Sequence, residues 1–308
     1  MKVLVTGGAG FIGSNLVRHL VGRGDDVRVL DNFSTGIRGN LESLDIEIVE
    51  GELRSYERVH NAVRGTEIVF HLGALGSVPR SVQDPLTSNA VNVEGTLNTL
   101  LAARDEGVRR VVFSSSSSVY GSTSELPAKE SLATRPLSPY GVAKLAAERY
   151  CASFSRVYES LETVVLRYFN VFGPWQSPQS QYAAVVPLFI TAVATGEPVS
   201  IFGDGNQSRD FTYVTNVIDA TVVAAEADGA NGRIFNVAAS SPASVNDLAD
   251  AIGRILGKPV ERHFAPPRPG DVRDSWADVT AAKETLGYEP TVNLEEGLRR
   301  TIEHLAGA

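Results

Sequence analysis

The most constraining stretch of the sequence is Thr6-Gly7-Gly8-Ala9-Gly10-Phe11-Ile12-Gly13. It follows directly on the short β-branched run Lys2–Thr6 and opens a segment, Phe11–Gly22, whose apolar residues recur at helical spacing. A glycine-rich turn between strand and helix lets backbone N–H groups come close to a pyrophosphate, and the helix start adds partial positive charge. Asp31 ends the next apolar run, about twenty residues after the loop, where a carboxylate can accept hydrogen bonds from ribose hydroxyls. A 2′-phosphate would meet like charge there, so the pattern favours NAD over NADP. Capping of the turn Asn32–Gly36 by the same carboxylate is compatible with that role.

Around this loop, β-branched runs alternate with helical periodicity. Val27–Asp31, Ile46–Glu50, Ile68–Leu72, Arg110–Ser114 and Thr163–Arg167 read as further buried strands, and Ser55–Arg64, Pro85–Glu106 and Tyr140–Tyr158 as further helices. The order predicts an α/β chain with a doubly wound parallel sheet, the Rossmann arrangement. After Arg167 the chain becomes rich in Gly and Pro, with helices expected near Tyr182–Thr195, Ser244–Leu256 and Leu294–Leu305. We therefore expect an NAD-binding domain over residues 1–170 and a smaller α/β substrate-binding domain over 171–308. The run Arg233–Val237 is a candidate to return to the main sheet.

Composition narrows the function. Acidic residues number 36 against 28 basic ones, giving a pI near 5.2, and no basic run exceeds a pair such as Arg109-Arg110. The chain lacks the electrostatic footprint of a nucleic-acid binder, so an anionic ligand must be met by particular arginines. The single cysteine, Cys151, cannot form an internal disulfide and reads as a small buried apolar residue. No stretch approaches the ~20 apolar residues of a membrane span, and Val3-Leu4-Val5 is too short for a signal segment, so the expectation is a cytoplasmic protein. Asn206-Gln207-Ser208 matches a glycosylation sequon of the kind that chance produces.

Tyr140 and Lys144 stand at i, i+4 and can point into one site from one helix face. A tyrosine acting as base near neutrality must come down from a pKa of ~10, at a cost of about 4 kcal/mol, and a nearby ammonium and a positive nicotinamide ring both favour the phenolate. The serine run Ser114–Ser118 ends the fifth strand, at the carboxyl edge where ligands of such sheets bind. Alone, the Tyr-x-x-x-Lys spacing equally describes a packed tyrosine beside a surface lysine.

At this point the chain resembles the extended short-chain dehydrogenase/reductase superfamily, and within it UDP-glucose 4-epimerases and related UDP-sugar 4-epimerases. The likeness is carried by the glycine loop, Asp31-Asn32, His71–Ala74, Ser77–Ser81, the serine run with Val119-Tyr120-Gly121, Tyr140 and Lys144, Arg167–Pro174, and Gln207–Phe211. It implies Tyr140 as base toward the sugar 4-hydroxyl, Ser116 as its hydrogen-bonding partner and Lys144 as the group that holds the nicotinamide ribose and lowers the phenol pKa. Hydride would leave C4 for NAD and return to the other face of a rotated 4-keto sugar, with NAD kept bound. Cofactor contacts implied are Gly7, Gly10, Phe11, Ile12, Gly13, Asp31, Asn32, Ser34, Thr35, Gly36, Glu52, Leu53, Leu72, Gly73, Ala74, Asn89 and Ser114, with Tyr140 and Lys144.

For the nucleotide sugar, the resemblance implies Ser77, Arg80, Ser116, Ser118, Tyr140, Asn170, Val186 and Ser275, with Arg209 and Arg268 on the pyrophosphate and Asp271 on the uridine ribose. Planar guanidinium groups suit phosphate oxygens; the alternative is surface salt bridges, since Arg209 is followed by Asp210 and Arg273 by Asp274. Three positions depart from the family pattern: Gly51-Glu52-Leu53 replaces an aspartate for the adenine amine, Gly73 an alanine, and Trp175 an arginine. A 4,6-dehydratase needs an Asp-Glu pair where Ser117-Ser118 stands, and a UDP-glucuronate decarboxylase usually carries glutamate in place of Ser118; hydroxyls replace such carboxyls poorly in acid/base work. A non-catalytic NAD sensor on this fold commonly loses the tyrosine or lysine. The sequence leaves open UDP-glucose/galactose, their N-acetylamino forms and UDP-glucuronate, because Ser177, Gln179 and Ser180 could meet several C6 groups. Ser275, in place of a tyrosine that narrows the sugar pocket in relatives, implies room there. A homodimer through the Pro85–Glu106 and Tyr140–Tyr158 helices is expected by resemblance, although their apolar faces equally suit core.

Overall fold

The structure is a computed structural model, and it describes residues 1–177, 184–267 and 272–307. Six strands, β1 (Lys2–Thr6), β2 (Asp26–Asp31), β3 (Glu47–Glu50), β4 (Ile68–His71), β5 (Arg110–Ser116) and β6 (Glu162–Tyr168), lie in one parallel sheet with a seventh, Ile234–Val237. Their spatial order is Ile234–Val237, β6, β5, β4, β1, β2, β3. The chain order thus reverses between β1 and β4, and the crevice beyond their carboxyl ends is where a doubly wound sheet binds ligand. Residues 233–237 do return: Ile234 pairs with Val165 and Val237 with Tyr168 at the sheet edge.

Helices cover both faces because the strands are apolar on both. Leu4, Val69, Val111 and Phe113 pack under α2 (Tyr56–Val63), α5 (Gly95–Asp105) and α6 (Pro139–Val157). Val3, Val5, Phe70 and Val112 pack on the other face against α1 (Phe11–Arg23) and α8 (Val214–Glu226). The alternation along each strand, with every one of these residues under 2% exposed, is the pattern of a sheet buried on both sides.

The expected helix over Pro85–Glu106 is interrupted. It comprises α4 (Pro85–Asn89), a π-helical turn Ala90–Glu94, and α5. The widened turn lets Asn92 turn inward, where its side chain accepts from the Leu75 N–H at 2.8 Å and donates to the Leu75 carbonyl at 3.2 Å. Three helices were not anticipated: α3 (Val78–Gln83), α8 and α10 (Thr280–Leu286). The α8 sequence VTNVIDATVVAAE is rich in β-branched residues, whose intrinsic preference is overridden by burial of most of the helix.

Beyond β6 the chain forms short pairings. Val171–Phe172 joins Thr212–Tyr213, Ser208–Arg209 lies between Ala243–Ser244 and Asp274–Ser275, and Val199–Phe202 pairs with Arg262–Ala265. Around them stand α7 (Val185–Thr195), α9 (Val245–Leu256) and α11 (Leu294–Ala306). The start of the helix expected at Tyr182, and Gln179, Ser180, Arg268 and Asp271, fall outside the described residues. Among the described residues no helix is long and apolar enough to cross a membrane.

Candidate active site

The glycine loop works by close approach. A Cβ on Gly7, whose φ is +70°, would lie 2.7 Å from the Gly73 Cα, and one on Gly13 would lie 2.1 Å from the Gly7 carbonyl oxygen. Helix α1 begins at Gly10 with no side-chain cap, leaving its first-turn N–H groups without a side-chain partner. Asp31 ties the loop to β2: its carboxylate accepts from the Ala9 N–H at 2.9 Å and from the Phe33 N–H at 2.8 Å. The capping and ligand readings of Asp31 therefore coexist, since it also borders a cavity of about 330 Å³.

That cavity brings together all the sequence-derived cofactor residues except Asn89, Tyr140 and Lys144. Asn89 stands exposed at the end of α4, and the π-helical turn brings Val91 to the wall instead. Arg54, Leu75 and Gly76 also line the cavity and carry no motif that would single them out. Two departures from the family pattern are coupled: a Cβ on Gly73 would meet the Leu53 Cδ1 at 2.8 Å. The third, Trp175, packs away from this wall, with the Arg18 guanidinium 4.0 Å from its ring centroid and the His304 ring at 4.6 Å.

Three serines at the end of β5 face α6. Ser114 lines the cavity and its carbonyl accepts from the Lys144 Nζ at 2.7 Å. Ser116 hydrogen-bonds with the Tyr140 phenol and with the Ser118 hydroxyl, the latter at 3.1 Å. Gly141 lets the helix start this close, for a Cβ there would lie 2.7 Å from the Ser118 carbonyl. Ser81 on α3 accepts from the Tyr140 N–H at 3.1 Å. Tyr140 and Lys144 thus sit together at the sheet's carboxyl edge, as the i, i+4 spacing requires.

Burial dominates their charge states. It pushes the Tyr140 phenol above its ordinary value, opposed only by the bond with Ser116, and it pushes the Lys144 amine down to about 8. The Lys144 ammonium is directed to the Ser114 carbonyl. His71, between Thr6 at 2.7 Å and Thr96 at 3.0 Å, is pushed down to about 3 by burial and by Lys144. The Cys151 thiol is pushed far up by burial, which leaves it an inert core residue.

The residues expected at the nucleotide-sugar end are more dispersed. Arg209 donates to the Ser208 and Arg273 carbonyls at 2.8 Å each, and Ser275 stands opposite it in strand register. Asp210 is fully buried and held by backbone N–H groups of Ala239, Ser240 and Ala277. Ser77 caps α3, and Val186 is buried in the core at the start of α7, so any contact from it beyond packing falls to the backbone. The Asn170 Nδ2, at a backbone φ of +29°, is buried without a hydrogen-bond partner among the described residues. A cavity of about 740 Å³ opens between Phe202, Gln207, Phe264 and Arg273.

A glycine loop at the reversal of a parallel sheet, with Tyr140 and Lys144 of α6 set against the serines at the end of β5, defines a dinucleotide-dependent enzyme of the short-chain dehydrogenase type. The chain belongs to the NAD-dependent epimerase/dehydratase family, whose profile matches residues 3–238. A UDP-glucose 4-epimerase of Mycolicibacterium smegmatis is 41% identical over 98% of both chains. A UDP-glucose 4-epimerase of Thermus thermophilus in complex with NAD is 38% identical, covers both chains fully and superposes with a TM-score of 0.93. A UDP-N-acetylglucosamine 4-epimerase of Methanobrevibacter ruminantium in complex with UDP-N-acetylmuramic acid is 38% identical over 99% of this chain and 98% of its own, with a TM-score of 0.94. Chains named for UDP-glucuronate 4-epimerase and UDP-N-acetyl-α-D-glucosaminuronate decarboxylase also match, so relatives act on several sugars. NAD is the cofactor, and the uncapped helix start, the closed-off glycine positions and the Asp31 carboxylate fit it.

Because Gly13 leaves no room for a side chain, Gly13→Ala should displace the loop and cut NAD affinity at least tenfold (about 1.4 kcal/mol). NAD recovered from the purified variant, compared with wild type by acid extraction and chromatography, reads the effect; equal recovery would contradict it.

Proposed function

We propose that the protein is a UDP-sugar 4-epimerase, inverting C4 of a UDP-hexose such as UDP-glucose or UDP-galactose through a 4-keto intermediate. What supports this reading is the placement of Tyr140 and Lys144 on α6 against the Ser114–Ser118 run, with the Lys144 Nζ on the carbonyl of Ser114, which itself borders the dinucleotide cavity. Residues 1–170 hold the cofactor, and residues 171–308 hold the nucleotide sugar. When bound, NAD would supply the hydride chemistry at C4, and its positive ring would offset the cost of burying a phenolate.

The protein's own part is to hold protons and orient the sugar. Tyr140 takes the proton of the 4-hydroxyl and later gives it back. Ser116 and Ser118 bind the same oxygen and steady the phenolate, and Lys144 holds the nicotinamide ribose. Arg209 and Arg268 bind the pyrophosphate, Asp271 the uridine ribose, and the unpaired Asn170 amide a phosphate or sugar oxygen. Ser77 and Arg80 border the sugar from α3. Ser117-Ser118, where a dehydratase needs carboxyls, argues against elimination of water.

A homodimer fits this reading. Val82 and Leu86 on α3 and α4 and Val142, Tyr150 and Val157 along α6 expose apolar side chains, Leu86 at 83%. An NAD enzyme whose lone cysteine is buried and free also suits the cytoplasm.

Two substitutions test the reading. Tyr140→Phe removes the proton acceptor but little volume, so epimerisation followed by NMR should fall about 10²–10⁴-fold while NAD stays bound. Normal turnover would mean that another group is the base. Ser275→Tyr should cost activity on UDP-N-acetylhexosamines about tenfold more than on UDP-glucose, since overpacking penalises the bulkier C2 group. Equal losses on both sugars would mean that Ser275 does not border the pocket.

A further inference from the structure

Below Tyr140 and Lys144, the same face of α6 carries Glu148. It is fully buried, and its carboxylate holds two elements at once. Its Oε1 accepts from the Ser115 hydroxyl at 2.6 Å and from the Arg167 Nε at 2.9 Å, and its Oε2 from the Arg167 Nη2 at 2.7 Å. Arg167, on β6, is itself 1% exposed, with its guanidinium 4.7 Å from the Tyr120 ring centroid. Helix α6 therefore meets β5 through two hydrogen bonds one helical turn apart, Lys144 with the Ser114 carbonyl and Glu148 with Ser115, a turn below Tyr140. Only the second is anchored in the neighbouring strand.

We propose that Glu148 is a positioning residue of the reaction, which fixes the register of α6 on β5 and supplies the negative charge that keeps the Lys144 ammonium charged. The proposal rests on the reading of Lys144 as the amine that serves the cofactor and phenolate.

The charges around Lys144 leave few other candidates for that task. Burial pushes its amine down to about 8, opposed by Cys151 and Glu148. Cys151 is itself held protonated by burial, so the carboxylate is the only anion of the two. His71 on β4 is neutral, and Arg167 lies behind the carboxylate that pairs it. Arg80 on α3, Glu94 on the π-helical turn, and Arg104 and Asp105 at the end of α5 are half-buried or exposed, so solvent screens them. Losing Glu148 lets the ammonium deprotonate at lower pH. Activity that needs a charged Lys144 falls as pH rises through its pKa, so the upper-pH limb must move down.

The test uses the NAD-loaded enzyme with a UDP-hexose that the wild type turns over. In E148Q the upper limb of the kcat–pH profile should move down by ~1 pH unit, with KM for the sugar little changed. Because E148Q strands the Arg167 charge in the core, the double variant E148Q/R167Q is measured beside it; it leaves neither charge unpaired and should move the limb in the same direction by a smaller amount. A uniform loss of kcat at all pH values, with the limb unmoved in both variants, would overturn the proposal and leave Glu148 a purely structural partner of Arg167. K144M keeps the underlying reading separate: retained activity there removes Lys144 from the mechanism, whereas an inactive K144M with an unmoved limb in E148Q rejects Glu148 alone.

Discussion

The contact on which the site depends is the approach of bare backbone to bare backbone at the end of β1. Gly7 meets Gly73 at the exit of β4, and Gly13 on α1 meets the Gly7 carbonyl, at separations where any side chain would collide. Strands β1 and β4 are the pair across which the chain order reverses, so this approach shapes the floor of the crevice. Asp31 fixes the loop from the β2 side and Asn92 fixes the β4 exit from the π-helical turn. A dinucleotide site results because three backbone segments are locked at close range with few side chains between them.

The second determinant is dehydration. Both groups of the proposed catalytic pair are pushed toward their neutral forms by burial, the phenol upward and the amine downward. A site that needs phenolate and ammonium together must restore charge from its surroundings. In the proposed reading Ser116, the Glu148 carboxylate and the positive ring of bound NAD would do so.

Much of this was legible in the sequence because the strongest signals were local. The glycine loop, the alternating strands and the i, i+4 pair each depend on residues close in the chain, and their structure follows the expected order. What escaped was set by tertiary contacts. The α8 segment looks unlike a helix until it is wrapped in core, and the break at Ala90–Glu94 follows from Asn92 reaching Leu75. Asn89 lies outside the cavity lining, just before that break, and Leu53 occupies the space that Gly73 vacates, a complementarity visible only in three dimensions. The serine run showed where the site lies, but not that Ser115 faces away from it toward Glu148.

The central claim is that hydride leaves and returns to the same carbon while the sugar stays on the enzyme. The most direct measurement is NMR of the product formed from UDP-glucose deuterated at C4, in ordinary water. Inversion at C4 with the deuterium still at C4, and no water lost from the sugar, is the predicted result. Deuterium replaced by solvent hydrogen at C4, or a product lacking water, would contradict epimerisation through a retained hydride.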